Sequence, residues 1–248
     1  MSAHAARVAL VELERLLQTD ASALRLTLPS GFAEACEAYV GHLLQANARL
    51  NLTRIVEPLD VGRLHLLDAL SALPLLDTLG PRRALDLGSG GGVPGIILAL
   101  ARPAVTWTLV DSARKKADAM RGFVEALGLE NVAIVAERAE ILGRDPAHRE
   151  RYDLVAARAC AALPVLAEYA LPLLGVGGAL VAWKGPLADD ELRAGHRAAA
   201  ALGAADPEVH PSGFGALGDH RFVLVRKERP TPERYPRCPG EPARRPLA

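Results

Sequence analysis

Residues 84–95, Ala-Leu-Asp-Leu-Gly-Ser-Gly-Gly-Gly-Val-Pro-Gly, constrain this chain more than any other stretch. A short apolar run contains Asp86, glycines stand at 88, 90, 91, 92 and 95, and an apolar helical run starts at Ile96. The order is strand, tight turn, helix start. Glycine admits the left-handed backbone that such a turn needs, and the helix start leaves N–H groups open to a ligand. A turn of this kind belongs to an α/β sheet, so the chain around it should alternate strand and helix.

That alternation is readable. Strands are predicted at about 83–88, 105–111, 132–136, 153–158 and 178–184, with a last one from His220 to Arg226. Helices are predicted at about 94–101, 112–127, 162–174 and 188–202. Before them, residues 5–18 and 31–50 carry helical spacing, an apolar-rich helix is predicted at about 59–76, and Gly80-Pro81 ends the pattern. The expected organisation is a helical extension over 1–80, a core over 81–226, and a tail over 227–248. The run from Ala159 to Trp183 holds one charge, Glu168, but Pro164, Pro172, Gly175, Gly177 and Gly178 interrupt it. It reads as a buried helix leading to a central strand, not a membrane span.

Two glycine patterns overlap in the turn. Gly90, Gly92 and Gly95 fit the dinucleotide fingerprint G-x-G-x-x-G. Asp86, Gly88, Gly90 and Gly92 fit D-x-G-x-G-x-G, the pattern of S-adenosylmethionine-dependent methyltransferases. Charge separates them: a carboxylate repels a pyrophosphate and attracts the ammonium of a methionine moiety. The structural alternative for Asp86 is a turn residue bonded to its own backbone. A nicotinamide-dependent oxidoreductase is disfavoured by Asp86 and by the lack of a Tyr-x-x-x-Lys pair after the sheet. A non-catalytic RNA-binding factor that keeps a cofactor pocket is the other competing class.

Lys+Arg and Asp+Glu both total 29, so a protein that coats nucleic acid through bulk charge is not expected. The cations concentrate from Arg226 onward, where seven Lys/Arg face three Asp/Glu and six prolines occur. That segment reads as an extended, basic, weakly structured end. Cys36, Cys160 and Cys238 are scattered, which argues against a bound metal and against disulfides, and fits a reducing cytoplasm.

Ligands of open parallel sheets lie beyond the C-terminal strand ends, so the residues there carry the chemistry. Asp111, about 20 residues past the turn, can accept from ribose hydroxyls or cap the following helix. Glu137-Arg-Ala-Glu140 ends the third strand, where a backbone amide can meet an adenine nitrogen or the turn can simply face solvent. Arg158 can grip a carboxylate or phosphate, or pair with Asp86 or Glu140. Lys184 can hold a phosphate or reach water. Cys160 reads as a small buried hydrophobe rather than a nucleophile. The fourth strand end lacks the Asn/Asp-Pro-Pro-aromatic motif used on exocyclic amines, which leaves an atom with its own lone pair, such as guanine N7, as the target.

Several motifs occur in an order that resembles one family: Asn47-Ala-Arg-Leu-Asn51-Leu-Thr53, His65-Leu-Leu-Asp68, the turn 85–95, Asp111-Ser-Ala-Arg-Lys-Lys116, Arg138-Ala-Glu140, Arg158-Ala159, Lys184-Gly185 and Tyr235-Pro-Arg-Cys-Pro-Gly240. The chain resembles the bacterial 16S rRNA guanine-N7 methyltransferases also called glucose-inhibited division protein B. Departures include Ala46, Ala69 and Val93, where the family often has tryptophan, serine and phenylalanine. The resemblance implies a Rossmann-like class I S-adenosylmethionine-dependent fold, with a mostly parallel seven-stranded sheet and an N-terminal helical extension. It implies S-adenosyl-L-methionine held by Asp86, Gly88, Gly90, Val93, Asp111, Ser112, Ala113, Ala139, Glu140 and Arg158. No residue is expected to act as a chemical catalyst. Arg158 and Lys184 are the candidates for positioning the reactants. RNA contacts are expected from Asn47, Asn51, His65, Lys115, Lys116, Lys184, Arg237, Arg244 and Arg245. The implied partner is 16S rRNA in the 30S subunit or an assembly intermediate. A cytoplasmic monomer without metal, membrane or protein partner is expected.

Overall fold

The computed structural model describes residues 2–20 and 26–247. The N-terminal region forms α1 (Ser2–Thr19), α2 (Phe32–Leu50), α3 (Pro58–Val61), a π-helical turn (Gly62–Leu67), α4 (Asp68–Leu70) and α5 (Leu73–Leu79). The core follows with β1 (Arg83–Leu87), α6 (Gly95–Ala101), β2 (Thr106–Val110), α7 (Arg114–Ala126), β3 (Val132–Val135) and α8 (Ala139–Leu142). It continues through β4 (Tyr152–Arg158), α9 (Leu163–Ala170), β5 (Leu174–Lys184), α10 (Asp189–Ala201), β6 (Glu208–Pro211), a single 3-10 turn (Gly215–Leu217), β7 (Arg221–Arg226) and α11 (Glu241–Arg244).

Seven strands form one sheet in the order β3-β2-β1-β4-β5-β7-β6. The first five are parallel, whereas β7 runs antiparallel to β5 and β6 antiparallel to β7. The order reverses between β1 and β4, so the cleft expected for ligands opens there. Strand alternation splits the core in two. Ala84, Leu154, Ala156, Val181, Trp183 and Leu224 pack toward α1, α2 and α6, while Leu85, Leu87, Val155, Leu180 and Val223 pack toward α9 and α10. The N-terminal helices share the first of these layers with the sheet.

Two expectations are corrected, and one strand is located that the sequence did not place. The helix predicted at 59–76 is broken. Gly62 lies where a Cβ would stand 2.5 Å from the Ala9 carbonyl of α1, and the chain adopts a π turn there. Strand β6 went unpredicted because it is a four-residue edge strand ending in Pro211, too short for a clear alternation. The tail is packed rather than loose. The fully buried Lys227 ammonium donates to the carbonyls of Leu171 and Leu174 and faces Glu150. Arg237 forks onto the fully buried Glu168, and Tyr235 is buried. The single acid of the 159–183 run therefore finds its cation 69 residues on. Among the described residues, no helix is long and apolar enough to cross a membrane.

Candidate functional site

The glycine turn leaves β1 and folds over the end of β2. The Gly88 and Ser89 N–H groups donate to the Val110 carbonyl at 2.9 and 3.0 Å. Gly88, Gly90 and Gly92 have φ of 74°, 60° and 95°, values that side-chain-bearing residues rarely adopt. A Cβ on Gly88 would stand 2.9 Å from Cys160 Sγ, and one on Gly91 would stand 2.6 Å from Leu43 Cδ1. Helix α2 thus rides directly on the turn, and the Tyr39 hydroxyl donates to the Gly91 carbonyl at 2.9 Å.

Asp86 does not stand on a cavity wall. Alternation places its side chain on the α6 layer with Ala84, fully buried, where Oδ2 accepts from the Gly95 N–H at 2.9 Å. Its Oδ1 is buried with no hydrogen-bond partner. Burial pushes the carboxyl up to about 7, opposed by the bonds from Gly95 and Ser89 and by the charge of Arg158. Where a direct grip on an ammonium is expected, the structure has Asp86 anchoring the helix start behind the turn. Asp111 fastens the turn from the other side, accepting from Gly90 N–H at 3.0 Å and Ala113 N–H at 2.8 Å.

Two cavities meet at this turn and share Gly88, Lys116 and Ala159. The smaller, about 340 Å³, is lined by Asp111, Ser112, Arg138, Ala139, Glu140, Cys160 and Tyr169. Glu140 is held by Arg138 Nη2 at 2.8 Å and by the Gly240 N–H of the tail at 2.7 Å. The larger, about 930 Å³, is lined by Asn51, Thr53, His65, Asp68, Gly90, Val93, Arg158, Trp183, Lys184 and His220 among others. Cys160 is exposed on the smaller wall, not buried as expected, because the chain leaves β4 there with Ala159 at a φ of 51°. Desolvation pushes its thiol up to about 11, which leaves it protonated and a poor nucleophile.

Arg158 pairs with neither Asp86 nor Glu140. It donates to the Leu64 carbonyl at 2.7 Å and to the buried Asp68 at 3.3 Å, and its Nη2 lies 3.2 Å from His65 Nδ1. Asp68 also faces His220 Nδ1 at 2.9 Å, and the Trp183 indole donates to its carbonyl. The bond to Asp68 raises the pKa of His220, and burial partly opposes it. Lys184 lines the larger cavity but spends its ammonium on Glu191 at 2.7 Å and the Ala161 carbonyl at 2.9 Å.

Several predicted contacts fall elsewhere. Asn47 lines neither cavity; its Oδ1 accepts from the Thr53 N–H at 2.8 Å and shapes the loop after α2. Arg237, expected at the RNA, lines neither cavity and is committed to Glu168. Ala113, Lys115, Arg244 and Arg245 are exposed but line neither cavity. Trp183, His220 and Tyr169 were not predicted. For His220, the signal was its place at the start of the last strand; Arg221, which follows it, pairs with Lys184 across the sheet.

A ligand with an amino-acid moiety and an adenosine fits this donor set. The cradle at Gly88 has no room for a Cβ, an unpartnered buried carboxylate oxygen lies behind the turn, and an acid fixed by two N–H groups stands at the β2 end. Comparison with known proteins agrees. A family model described as rRNA small subunit methyltransferase G matches residues 33–215. A Deinococcus deserti protein named ribosomal RNA small subunit methyltransferase G is 50% identical over 206 residues, covering 83% of this chain and 84% of that one. A Moorella thermoacetica protein of the same name is 38% identical over 235 residues, covering 94% and 98%. Among solved structures, the O-methyltransferase TomG of Streptomyces achromogenes in complex with its cofactor superposes with a TM-score of 0.53 at 19% identity, covering 84% of this chain and 94% of that one. A mutant of MtNAS in complex with S-adenosylmethionine gives 0.53 at 16% identity, covering 79% of each. The fold is the Rossmann-like one of class I S-adenosylmethionine-dependent methyltransferases.

Proposed function

Because this chain belongs to the rRNA small subunit methyltransferase G family, we propose that it transfers a methyl group from S-adenosylmethionine to N7 of a guanine in the decoding-region loop of 16S rRNA. The observation that carries the reading is the pair of cavities joined at Gly88: one has the acid and backbone for an adenosine, and the other is large enough for an extruded base.

Bound S-adenosylmethionine supplies an electrophilic methyl group on a sulfonium. Asp111, fixed by the Ala113 N–H, would accept from the ribose hydroxyls, and Ser112, Ala139 and Glu140 would border the adenine. Gly88 and Gly90 let the backbone approach the methionine end, and Val93 gives it an apolar wall. Asp86, from behind the turn, holds the Gly95 N–H and so fixes the start of the helix against which the methionine end would lie. Guanine N7 carries its own lone pair, so no general base is needed. Arg158, fixed between Leu64, His65 and Asp68, holds the acceptor side still, and such alignment is worth up to about 7–11 kcal/mol. Lys184, Asn51 and His65 border the base, while Lys115, Lys116, Arg244 and Arg245 meet phosphates in a salt-sensitive way. The protein acts as a monomer, in the cytoplasm, on the 30S subunit or an assembly intermediate.

The test uses 30S particles from a strain lacking the activity, incubated with the protein and methyl-labelled S-adenosylmethionine. Label should enter the RNA, and aniline cleavage should map it to N7-methylguanine. No label, or label on a ring carbon or an exocyclic amine, refutes the reading.

A further inference from the structure

A chain of hydrogen bonds on the wall of the larger cavity has its direction fixed from one end. The guanidinium of Arg158 can only donate. Its Nη2 lies 3.2 Å from His65 Nδ1, so Nδ1 presents a lone pair. The Leu64 carbonyl also lies 3.3 Å from that nitrogen and could accept a second bond, but a proton on Nδ1 would stand against the Arg158 N–H aimed at the same atom. Burial and the charge of Arg158 hold the imidazole down to about 4, so it is neutral. Its one proton therefore sits on Nε2, which faces Thr53 Oγ1 at 3.0 Å. The Ile55 N–H donates to the same oxygen at 3.0 Å. A hydroxyl has two lone pairs and one proton. Both lone pairs are taken, and among the described residues no acceptor takes the proton of Thr53. That residue lines the cavity. Its hydroxyl can give a hydrogen bond there but cannot receive one.

We propose that Thr53 determines base choice: its hydroxyl donates to O6 of the target guanine and so rejects a base with an amino group at that position. This rests on the reading that guanine N7 is the methylated atom. On the N7 edge guanine shows O6 as an acceptor, whereas adenine shows a donor amino group. A donor-only hydroxyl against an amino group leaves both protons unsatisfied in a confined site. The bond cannot go to N7, whose lone pair becomes the new N–C bond. A donor on O6 withdraws electron density from the ring, so it favours recognition rather than the chemical step. Its mark is on KM and base choice more than on kcat.

The test uses 30S subunits reconstituted with 16S rRNA carrying either guanine or 2-aminopurine at the target; 2-aminopurine keeps N7 and lacks O6. The wild-type protein should methylate 2-aminopurine with kcat/KM about tenfold to a hundredfold lower. Thr53→Val should lose a similar factor on guanine, mainly through KM, and should no longer distinguish the two bases. Thr53→Ser should restore the distinction. Calorimetry should find S-adenosylmethionine binding unchanged in the Val variant, and nitrogen NMR of the wild-type protein should find the His65 proton on Nε2. A proton on Nδ1, weakened cofactor binding in Thr53→Val, or wild-type discrimination retained by that variant overturns the assignment. Absence of N7 methylation by the wild-type protein would instead overturn the underlying reading.

Discussion

Arg237→Ala tests how the tail is held. Glu168 is fully buried and accepts from Arg237 four times: from the backbone N–H at 2.8 Å, from Nε at 2.9 and 3.1 Å, and from Nη2 at 2.5 Å. Alanine keeps only the backbone bond and leaves a buried carboxylate without its cation. Breaking a buried pair from one side costs about 3–5 kcal/mol, and the surviving N–H bond places this case near 3 kcal/mol. For a chain of this size that lowers Tm by roughly 6–12 °C. Urea denaturation at neutral pH reads the loss directly, and limited proteolysis should cut the released segment between 227 and 247. The double variant Glu168→Gln/Arg237→Met removes the charge as well as its partner, and should recover more than half of the loss. An Arg237→Ala protein within about 1 kcal/mol of wild type, or a double variant as unstable as the single one, would refute the orphaned-charge argument.

Other substitutions test the turn and its cleft. Gly88→Ala forces a side chain to φ 74° with its Cβ 2.9 Å from Cys160 Sγ. The strain is worth about 1–2 kcal/mol, so calorimetry should find cofactor affinity down about tenfold, partly restored by Cys160→Ala. Asp86 titrates near 7 when folded against 3.8 for the free group, so between those values the folded protein holds a proton that the unfolded chain releases. The stabilisation this gives is complete below about pH 3.8 and is lost as pH rises toward 7. Thermal melts of Asp86→Asn and wild type should therefore show the variant losing less stability from pH 5 to pH 8. Lys116→Ala removes the cation shared by both cavities. It should weaken RNA binding and flatten the log–log salt slope by about 0.7–0.9.

The parallel strands and the cleft were legible because a strand leaves a period of two and a glycine turn leaves a fixed spacing. Asp86 shows where that legibility stops. Its spacing marked it as part of the turn, but the direction of its side chain depends on which face α6 covers, which is a tertiary fact. Arg158 was recognised as an unusual strand end, yet its partner Asp68 lies 90 residues earlier, just past a π turn that the apolar run of 59–76 conceals. The tail misled through composition: proline and arginine usually mean solvated chain, and only Glu168 and Glu150 explain why Arg237 and Lys227 pack inward. Thr53 and His65 were visible as residues, but the direction of the bond between them was not.

The hydrogen bond from Gly240 to Glu140 ties the end of the chain to the ligand cleft. Glu140 stands 100 residues before that partner, and its other anchor, Arg138, is two residues away. A chain cut short of Gly240 would carry every strand of the sheet and the whole glycine turn, yet the wall of its smaller cavity would be unfinished, with the Glu140 carboxylate on one anchor instead of two.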